Sequence, residues 1–372
     1  EPSEPSAYWQ AIQDLIPPEG VKRFLPGQIF HQSEAGSLSE MLVWAARQNH
    51  LVYSQLAEPS DRWSKLQMAR VVLNARRAAA PEGMFEGKIE VDPKDLARDL
   101  WSASSLETFA SCPFHYFCAY VLGLEERELP ELGFDSAQLG SIYHKVLEKV
   151  YQEVLNSGVH PGEILEEIAL SIFDDAPEKQ GFRPSLLWQI EKEQMLELLK
   201  RNIVALEEQR EIWQPYKLEY AFGRQWVPAL TIDTKDGEIL RFRGFIDRVD
   251  VDKFGNFRVI DYKTSSASIS KRDLERGTRL QLPLYAKSFA ESLGQGEVVD
   301  GFYWSLGTQK PSSLQLGQYG VEAAWQTAKE HILTYYEQIR SGAFQPIQPK
   351  GGCPDYCPAV GWCWRFEKRS SF

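Results

Sequence analysis

The sequence predicts an α/β protein with a helical N-terminal appendage, and three observations point to it. Residues 138–155 and 185–210 repeat apolar side chains at helical spacing, with charge on the opposite face. Residues 217–263 then alternate apolar and polar side chains, as half-buried strands do. After them come a basic loop with a helix over 271–294, an apolar strand over 298–306 and a helix over 321–341. Residues 1–100 read as helical and separate from a larger unit, 101–372, with the break between APEGMFEG (80–87) and Trp101.

The most informative stretch is 241–265, RFRGFIDRVDVDKFGNFRVIDYKTS, read as two strands joined at Gly255. Period two places Phe245, Asp247, Val249 and Val251 on one face of the first strand. It places Phe257, Val259, Asp261 and Lys263 on one face of the second. Charges on otherwise apolar faces are costly unless they are used or paired. A three-residue loop, Lys253-Phe254-Gly255 with Gly255 left-handed, brings Asp247 opposite Asp261. Two carboxylates that close repel unless a cation lies between them, and oxygen ligands suit Mg or Mn.

The chain has 372 residues, a formal net charge of −11, and ordinary apolar (43%) and charged (25%) fractions. That charge excludes a broadly basic surface but leaves room for a basic groove. No apolar run is long enough to cross a membrane. The start, EPSEPSAYWQ, lacks an initiator Met and a signal pattern, and reads as a piece of a longer chain. Five clustered cysteines fit a metal or cluster in a reducing, cytoplasmic setting better than a disulfide scaffold.

In the first hundred residues, Ser37 stands three before Glu40 as a capping box for a helix over 37–56. A second helix over 61–79 carries Arg70, Arg76 and Arg77 as a solvated face. SASSLETFASCPFHYFCAYVLGLEER (102–127) is aromatic and helical, with a break at Cys112-Pro113, and contains Cys118. In the helix 138–155, Gly140, His144 and Glu148 recur every four residues beside the apolar stripe. Glycine there would let the helix approach another backbone, and His144 offers a ring nitrogen to a metal; alone it reads as a satisfied histidine. Glu219 reads as an exposed alternate position in its strand. Lys271, Arg272, Arg276 and Arg279 precede a helix that carries Gln281 and Tyr285 on one face. This is either a phosphate-holding loop or a solvated one.

The C-terminus, CPDYCPAVGWCWRF (353–366), places three cysteines in a tight loop-rich segment. Three thiolates leave a four-coordinate site one ligand short, which Cys112 or Cys118 could supply. Cys112 is the better fit because a helix breaks there. Tetrahedral zinc and a [4Fe–4S] cluster both accept four cysteines.

Taken together these motifs resemble the RecB-type branch of the PD-(D/E)XK nucleases, and within it the iron–sulfur nuclease domain of AddB-like helicase–nuclease subunits. The resemblance rests on Gly140-x3-His144-x3-Glu148, Gly244-Phe-Ile-Asp247-Arg248, Ile260-Asp261-Tyr262-Lys263, Gln281-x3-Tyr285 and the flanking cysteines. Ile246 stands where the superfamily's name has Pro. The resemblance implies a central mixed β-sheet flanked by helices, a restriction-endonuclease-like core. It implies a Mg- or Mn-dependent DNA nuclease, expected to be an exonuclease, in a helicase–nuclease system for DNA end-processing and recombinational repair. His144, Asp247, Asp261 and the Tyr262 carbonyl would hold the metal, with Lys263 acting beside them. Gln281, Tyr285 and Arg279 would line the DNA path. Cys112, Cys353, Cys357 and Cys363 would bind a [4Fe–4S] cluster, with zinc the lesser alternative and Cys118 left in the core. The implied partners are DNA and a helicase subunit or the rest of a longer chain. A catalytically inactive DNA-binding scaffold and a stand-alone CRISPR-associated iron–sulfur exonuclease are the competing readings.

Overall fold

The computed structural model describes residues 7–17, 61–77, 86–90, 96, 98–125, 133–210, 212–224, 226–264, 269–350 and 352–366. The chain divides into two compact units, Glu1–Arg77 and Ala78–Phe372. In the first, the described elements are helices α1 (Ala7–Gln13) and α2 (Asp61–Arg77). The helix expected over 37–56, with its capping box, lies outside the described residues.

The second unit reaches upstream of Trp101. Lys88 bridges Ala343, and the Ile89 N–H donates to the Gly342 carbonyl at 2.9 Å. The aromatic segment is broken as its Pro suggests. Helix α3 (Ala103–Ser111) stops at Cys112, whose backbone is extended. Helix α4 (Pro113–Tyr116) restarts with Pro at its first position and runs into a π-helical turn, Phe117–Val121.

Helices α5 (Ser136–Ser157), α6 (Pro161–Gln180) and α7 (Trp188–Glu208) follow. Asp135 and Gln138 form a capping box at the start of α5, and Gly158 ends it in the left-handed conformation. Its buried stripe is Ile142, Tyr143, Val146, Leu147, Val150, Tyr151 and Val154, with Leu139 partly buried beside it. Helix α6 is not among the elements expected from sequence. It starts at His160-Pro161, and its stripe is Leu165, Ala169, Phe173 and Ala176.

Strands β1 (Gln214–Phe222), β2 (Leu230–Asp233), β3 (Ile239–Phe242), β4 (Gly244–Val251) and β5 (Phe257–Lys263) come next. Helices α8 (Lys271–Glu275) and α9 (Gln281–Ser292) lead to β6 (Val298–Ser305), β7 (Lys310–Gln315), α10 (Leu316–Tyr319) and α11 (Val321–Arg340). The main sheet runs β1-β4-β5-β6-β7, with β2 and β3 forming a separate pair. The β5–β6 pair is parallel and the other pairs are antiparallel, so the sheet is mixed, and α8 and α9 lie in the crossover between β5 and β6.

The continuous strand expected over 241–251 is instead broken at Arg243, between β3 and β4. At Gly244 a β-carbon would lie 2.7 Å from the Tyr285 ring and 2.8 Å from the Phe222 ring, so only glycine fits there. One face of the sheet packs Val249, Phe257 and Val259 against α9 and α11. The other packs Ile260, Tyr262, Phe302 and Trp304 against α5–α7. On that second face Asn202 of α7 accepts the Trp304 indole N–H and donates to the Leu306 carbonyl, each at 2.9 Å. These bonds tie the helical layer to β6 while leaving no buried amide unpaired at Asn202.

Candidate active site

The β4–β5 hairpin has the loop and register the sequence predicts. The Asp252 carboxylate accepts the N–H groups of Phe254 (2.8 Å) and Asn256 (2.9 Å), and Gly255 takes φ 83°. Pairing runs Val251↔Phe257 to Arg248↔Ile260, and the same count brings Asp247 level with Asp261. There the strands part. The Asp247 carboxylate enters the gap and accepts the Tyr262 N–H at 2.7 Å. The Tyr262 carbonyl lies 3.1 Å from His144 Nε2, and His144 Nδ1 lies 3.4 Å from Asp247 Oδ1. An imidazole flanked by oxygen on both nitrogens favours its charged form. Burial alone would lower the His144 pKa, but Asp247, Asp261 and Glu219 raise it to about 9.

Glu219 is a candidate ligand that sequence reasoning passed over. Pairs Leu218↔Arg248 and Tyr220↔Ile246 bracket it on β1 at the level of Asp247. It is half-buried rather than exposed, and its φ is 46°, a conformation non-glycine residues rarely adopt. Ligand atoms of His144, Glu219 and Asp247 all lie within 4.8 Å of one another. Burial first, and the Asp247 charge second, push the Glu219 carboxyl up to about 7. A lone acid in Lys-Leu-Glu-Tyr carries no signal until the strand register is known.

The strand alternation changes hand at this level, which corrects the expected faces. Gly244 and Ile246 face the α9 side, with Tyr285 and Phe222. Beyond Asp247, it is Val249 that packs on that side, while Arg248 lies on Tyr151 of α5, 3.9 Å from the ring centroid. Phe245 therefore does not share a face with Val249 and stands 42% exposed.

Asp261, almost fully buried, lies on the α9 side as expected. It is not one of the three residues that close to within 4.8 Å. Lys263 Nζ sits 2.6 Å from Asp261 Oδ2, close as charges but off the hydrogen-bond angle, and donates to Gln281 Oε1 at 2.8 Å. Gln281 Nε2 in turn donates to the Tyr285 hydroxyl at 2.8 Å. Burial pushes the Asp261 carboxyl up, and Lys263 opposes it. Burial would lower the Lys263 pKa, but Asp261 keeps it raised. Gln281 and Tyr285 thus hold the lysine. Arg279 pairs with Glu107 at 3.2 Å. Glu107 is a second residue that sequence reasoning missed. Its carboxylate accepts the N–H groups of Leu280 (2.7 Å) and Gln281 (2.9 Å), and so fixes the start of α9.

Gly140, His144 and Glu148 line one open groove together with Glu219 and Lys145, so the four-residue repeat does face the site. The expected close approach at Gly140 is corrected: a β-carbon there would make only an ordinary contact, 3.7 Å from the Thr264 methyl. Beneath the site, Asp250 accepts from Arg248 (2.5 and 3.2 Å) and from Arg258 (3.0 and 2.8 Å), with all three residues buried.

Cys112, Cys353, Cys357 and Cys363 line one small cavity with Phe114, His115 and Arg365. None of the five cysteines is in a disulfide. Backbone N–H groups of His115, Ile347 and Phe114 point at the Cys112 sulfur, as Ala359 does at Cys357 and Arg365 and Phe366 do at Cys363. Burial nevertheless pushes these three thiols up. Cys118 packs into the adjoining apolar cluster without lining the cavity, and its thiol is pushed up to about 12, chiefly by burial.

Comparison with known proteins agrees with this architecture. Residues 100–364 match the PD-(D/E)XK nuclease superfamily. A Moorella thermoacetica protein, named as one subunit of an ATP-dependent helicase/deoxyribonuclease, is 31% identical over 280 residues, covering 67% of this chain and 24% of that protein. Its namesake from Heliobacterium modesticaldum is 31% identical over 299 residues, 73% of this chain and 22% of its own length. The chain therefore spans less than a quarter of either relative. No helix among the described residues is long and apolar enough to cross a membrane. With a mixed, helix-flanked sheet and a family match over most of its length, the chain belongs to the PD-(D/E)XK nuclease superfamily.

Proposed function

We propose that this protein is a metal-dependent deoxyribonuclease that hydrolyses DNA phosphodiesters as part of a helicase–nuclease system. The observation that carries the reading is the convergence of His144, Glu219 and Asp247 within 4.8 Å, beside the Asp261–Lys263 pair. The residues fit a divalent cation. Burial first, and the Asp247 charge after it, raise the pKa of both Glu219 and Asp261, so the carboxylates crowd one another with only partial compensation from His144 and Lys263. Nitrogen and oxygen donors of this kind suit Mg or Mn. His144, Asp247, Glu219 and the Tyr262 carbonyl would hold the ion, with Asp261 facing it from β5.

A bound cation would polarise a phosphoryl oxygen and lower the pKa of its water. Lys263 keeps its proton beside Asp261, so it acts as a fixed positive charge for the developing phosphorane rather than as the base. Gln281 holds the ammonium in place, and Glu107 holds Gln281. Asp261→Ala should abolish Mg- or Mn-dependent cleavage of end-labelled linear DNA while leaving the circular dichroism spectrum unchanged. Retained cleavage would overturn the assignment, and a wild-type protein that binds but never cuts would mark a scaffold.

The cysteine cavity fits a cluster. Four sulfurs converge from both flanks of the unit, and backbone N–H groups are aimed at three of them, as at sulfur ligands. Cys112, Cys353, Cys357 and Cys363 would hold a [4Fe–4S] cluster and close a loop of the chain between its ends. Iron and sulfide analysis with electron paramagnetic resonance of the reduced protein tests this. A colourless protein with stoichiometric zinc would refute it. The relatives' name supports a helicase partner, and co-purification with a companion helicase is its test.

A further inference from the structure

We infer that the end of β1 and the start of β4 form a stacking platform for an unpaired nucleotide next to the scissile phosphate. The inference rests on the nuclease reading for its substrate class, and on separate residues for its content. Phe245 is 42% exposed and Trp226 is 94% exposed. The two belong to one local structure. Ala221 pairs with Phe245 and Phe222 with Gly244, and the described residues 223, 224 and 226–228 follow directly on the end of β1. These residues are tied to one another. The Gly223 N–H donates to the carbonyls of Val227 and Pro228 at 3.1 Å each, and Arg224 bridges Val227. The Arg224 guanidinium lies over the Phe245 ring, 5.0 Å from its centroid.

Position and charge define the occupant. Phe245 is two residues from Asp247 on β4, and Ala221 is two residues from Glu219 on β1. The platform is thus about 7 Å from the candidate metal ligands along both strands. That is about one extended nucleotide. Arg224, Arg241 and Arg243 are all exposed here, in a chain whose formal net charge is −11. Guanidinium beside open aromatic rings is the chemistry that holds single-stranded nucleic acid, phosphate on the cation and base on the ring. A duplex keeps its bases stacked inside and offers these rings nothing. A protein partner would use the rings without the three arginines. The geometry therefore favours a frayed or single-stranded DNA end, with the base beside the cleaved bond stacked on Phe245 and Trp226.

The test uses the full chain with Ca in place of Mg, so that binding is read without cleavage. An oligo(dT) carrying one 2-aminopurine reports stacking by fluorescence quenching, and anisotropy reports affinity. Trp226→Ala and Phe245→Ala should each weaken single-strand binding about 5- to 150-fold and reduce the quenching, because one base–aromatic stack contributes about 1–3 kcal/mol. Blunt duplex binding should change less than about twofold. Arg224→Gln should lower the salt slope of single-strand binding by about 0.7. Trp226 is so exposed that its loss cannot disturb folding, which thermal unfolding verifies. Unchanged single-strand affinity and quenching in both aromatic variants would overturn the platform. That result would leave the Asp261→Ala test untouched, and conversely stacking without any cleavage would sink the nuclease reading alone.

Discussion

Stripping divalent metal from the protein and raising the pH should weaken the fold, and His144→Gln should remove much of that weakening. The neighbouring carboxylates hold the His144 pKa at about 9, against an ordinary 6.5. A folded-state pKa above the unfolded one means the native state binds the extra proton. Its stabilisation is fully present below about 6.5 and is lost as pH rises through about 9. At about 1.4 kcal/mol per pKa unit the ceiling is about 3.5 kcal/mol. The side chain is 31% exposed, so solvent screens part of this, and about 1–2 kcal/mol is the expected effect. Urea unfolding in chelator at several pH values between those limits, for wild type and His144→Gln, isolates the contribution. The stability gap between them should shrink by that amount as pH rises. A gap that stays constant, or widens with pH, would refute the electrostatic account of the site. Adding Mg should reverse the trend, because a metal ligand must be neutral imidazole and binding then expels the proton.

Other perturbations probe the supports. Asp250→Asn leaves Arg248 and Arg258 buried without their shared carboxylate, and should cost about 3–5 kcal/mol in urea unfolding. A loss under about 1 kcal/mol would mean the arginines find water. Gly244→Ala sets a methyl 2.7 Å from the Tyr285 ring and should cost about 1–3 kcal/mol. Because Tyr285 bonds the Gln281 that holds Lys263, kcat for DNA cleavage should fall more than KM rises; an unchanged kcat would disconnect the two. Glu107→Ala frees two N–H groups at the start of α9 and should destabilise by about 1–2 kcal/mol. Faster hydrogen exchange confined to 280–285 is the accompanying signature.

The parts of the site that are legible in sequence are those set by local rules. Gly255 and a three-residue loop fix the β4–β5 register, and the register alone brings Asp247 level with Asp261. Spacing of four puts Gly140, His144 and Glu148 on one face of α5. A Pro after Cys112 marks the helix break that frees its thiol for the cavity. What is not legible depends on pairs far apart in the chain. Glu219 gains meaning only because β1 pairs with β4 at Asp247 and its own backbone turns to φ 46°. Glu107 caps a helix more than 170 residues away. The change of face at Asp247 has only a faint local cue, two adjacent apolar residues (Phe245, Ile246) followed by two adjacent charges (Asp247, Arg248). Helix α6 escapes a periodicity argument because its small buried Ala169 and Ala176 weaken the stripe that Leu165 and Phe173 begin.

These supports bear on why the site should bind a cation tightly. Asp247 is held by the Tyr262 N–H, His144 by a helix whose Tyr151 rests on Arg248, and Lys263 by Gln281. None of these groups can retreat from the others without breaking a buried contact. The carboxylates of Asp247, Asp261 and Glu219 are consequently kept close without full compensation, and burial first, with the Asp247 charge adding to it, drives Glu219 and Asp261 toward protonation. A divalent ion relieves that crowding and releases protons. Its affinity should therefore rise with pH through about 7, where Glu219 loses its proton. Replacing Glu219 by Gln should flatten this rise, even though the amide keeps an oxygen at the same position. If Mn affinity measured by calorimetry kept the same pH slope in that variant, the proton would belong to His144 alone and the crowding argument would fail at Glu219.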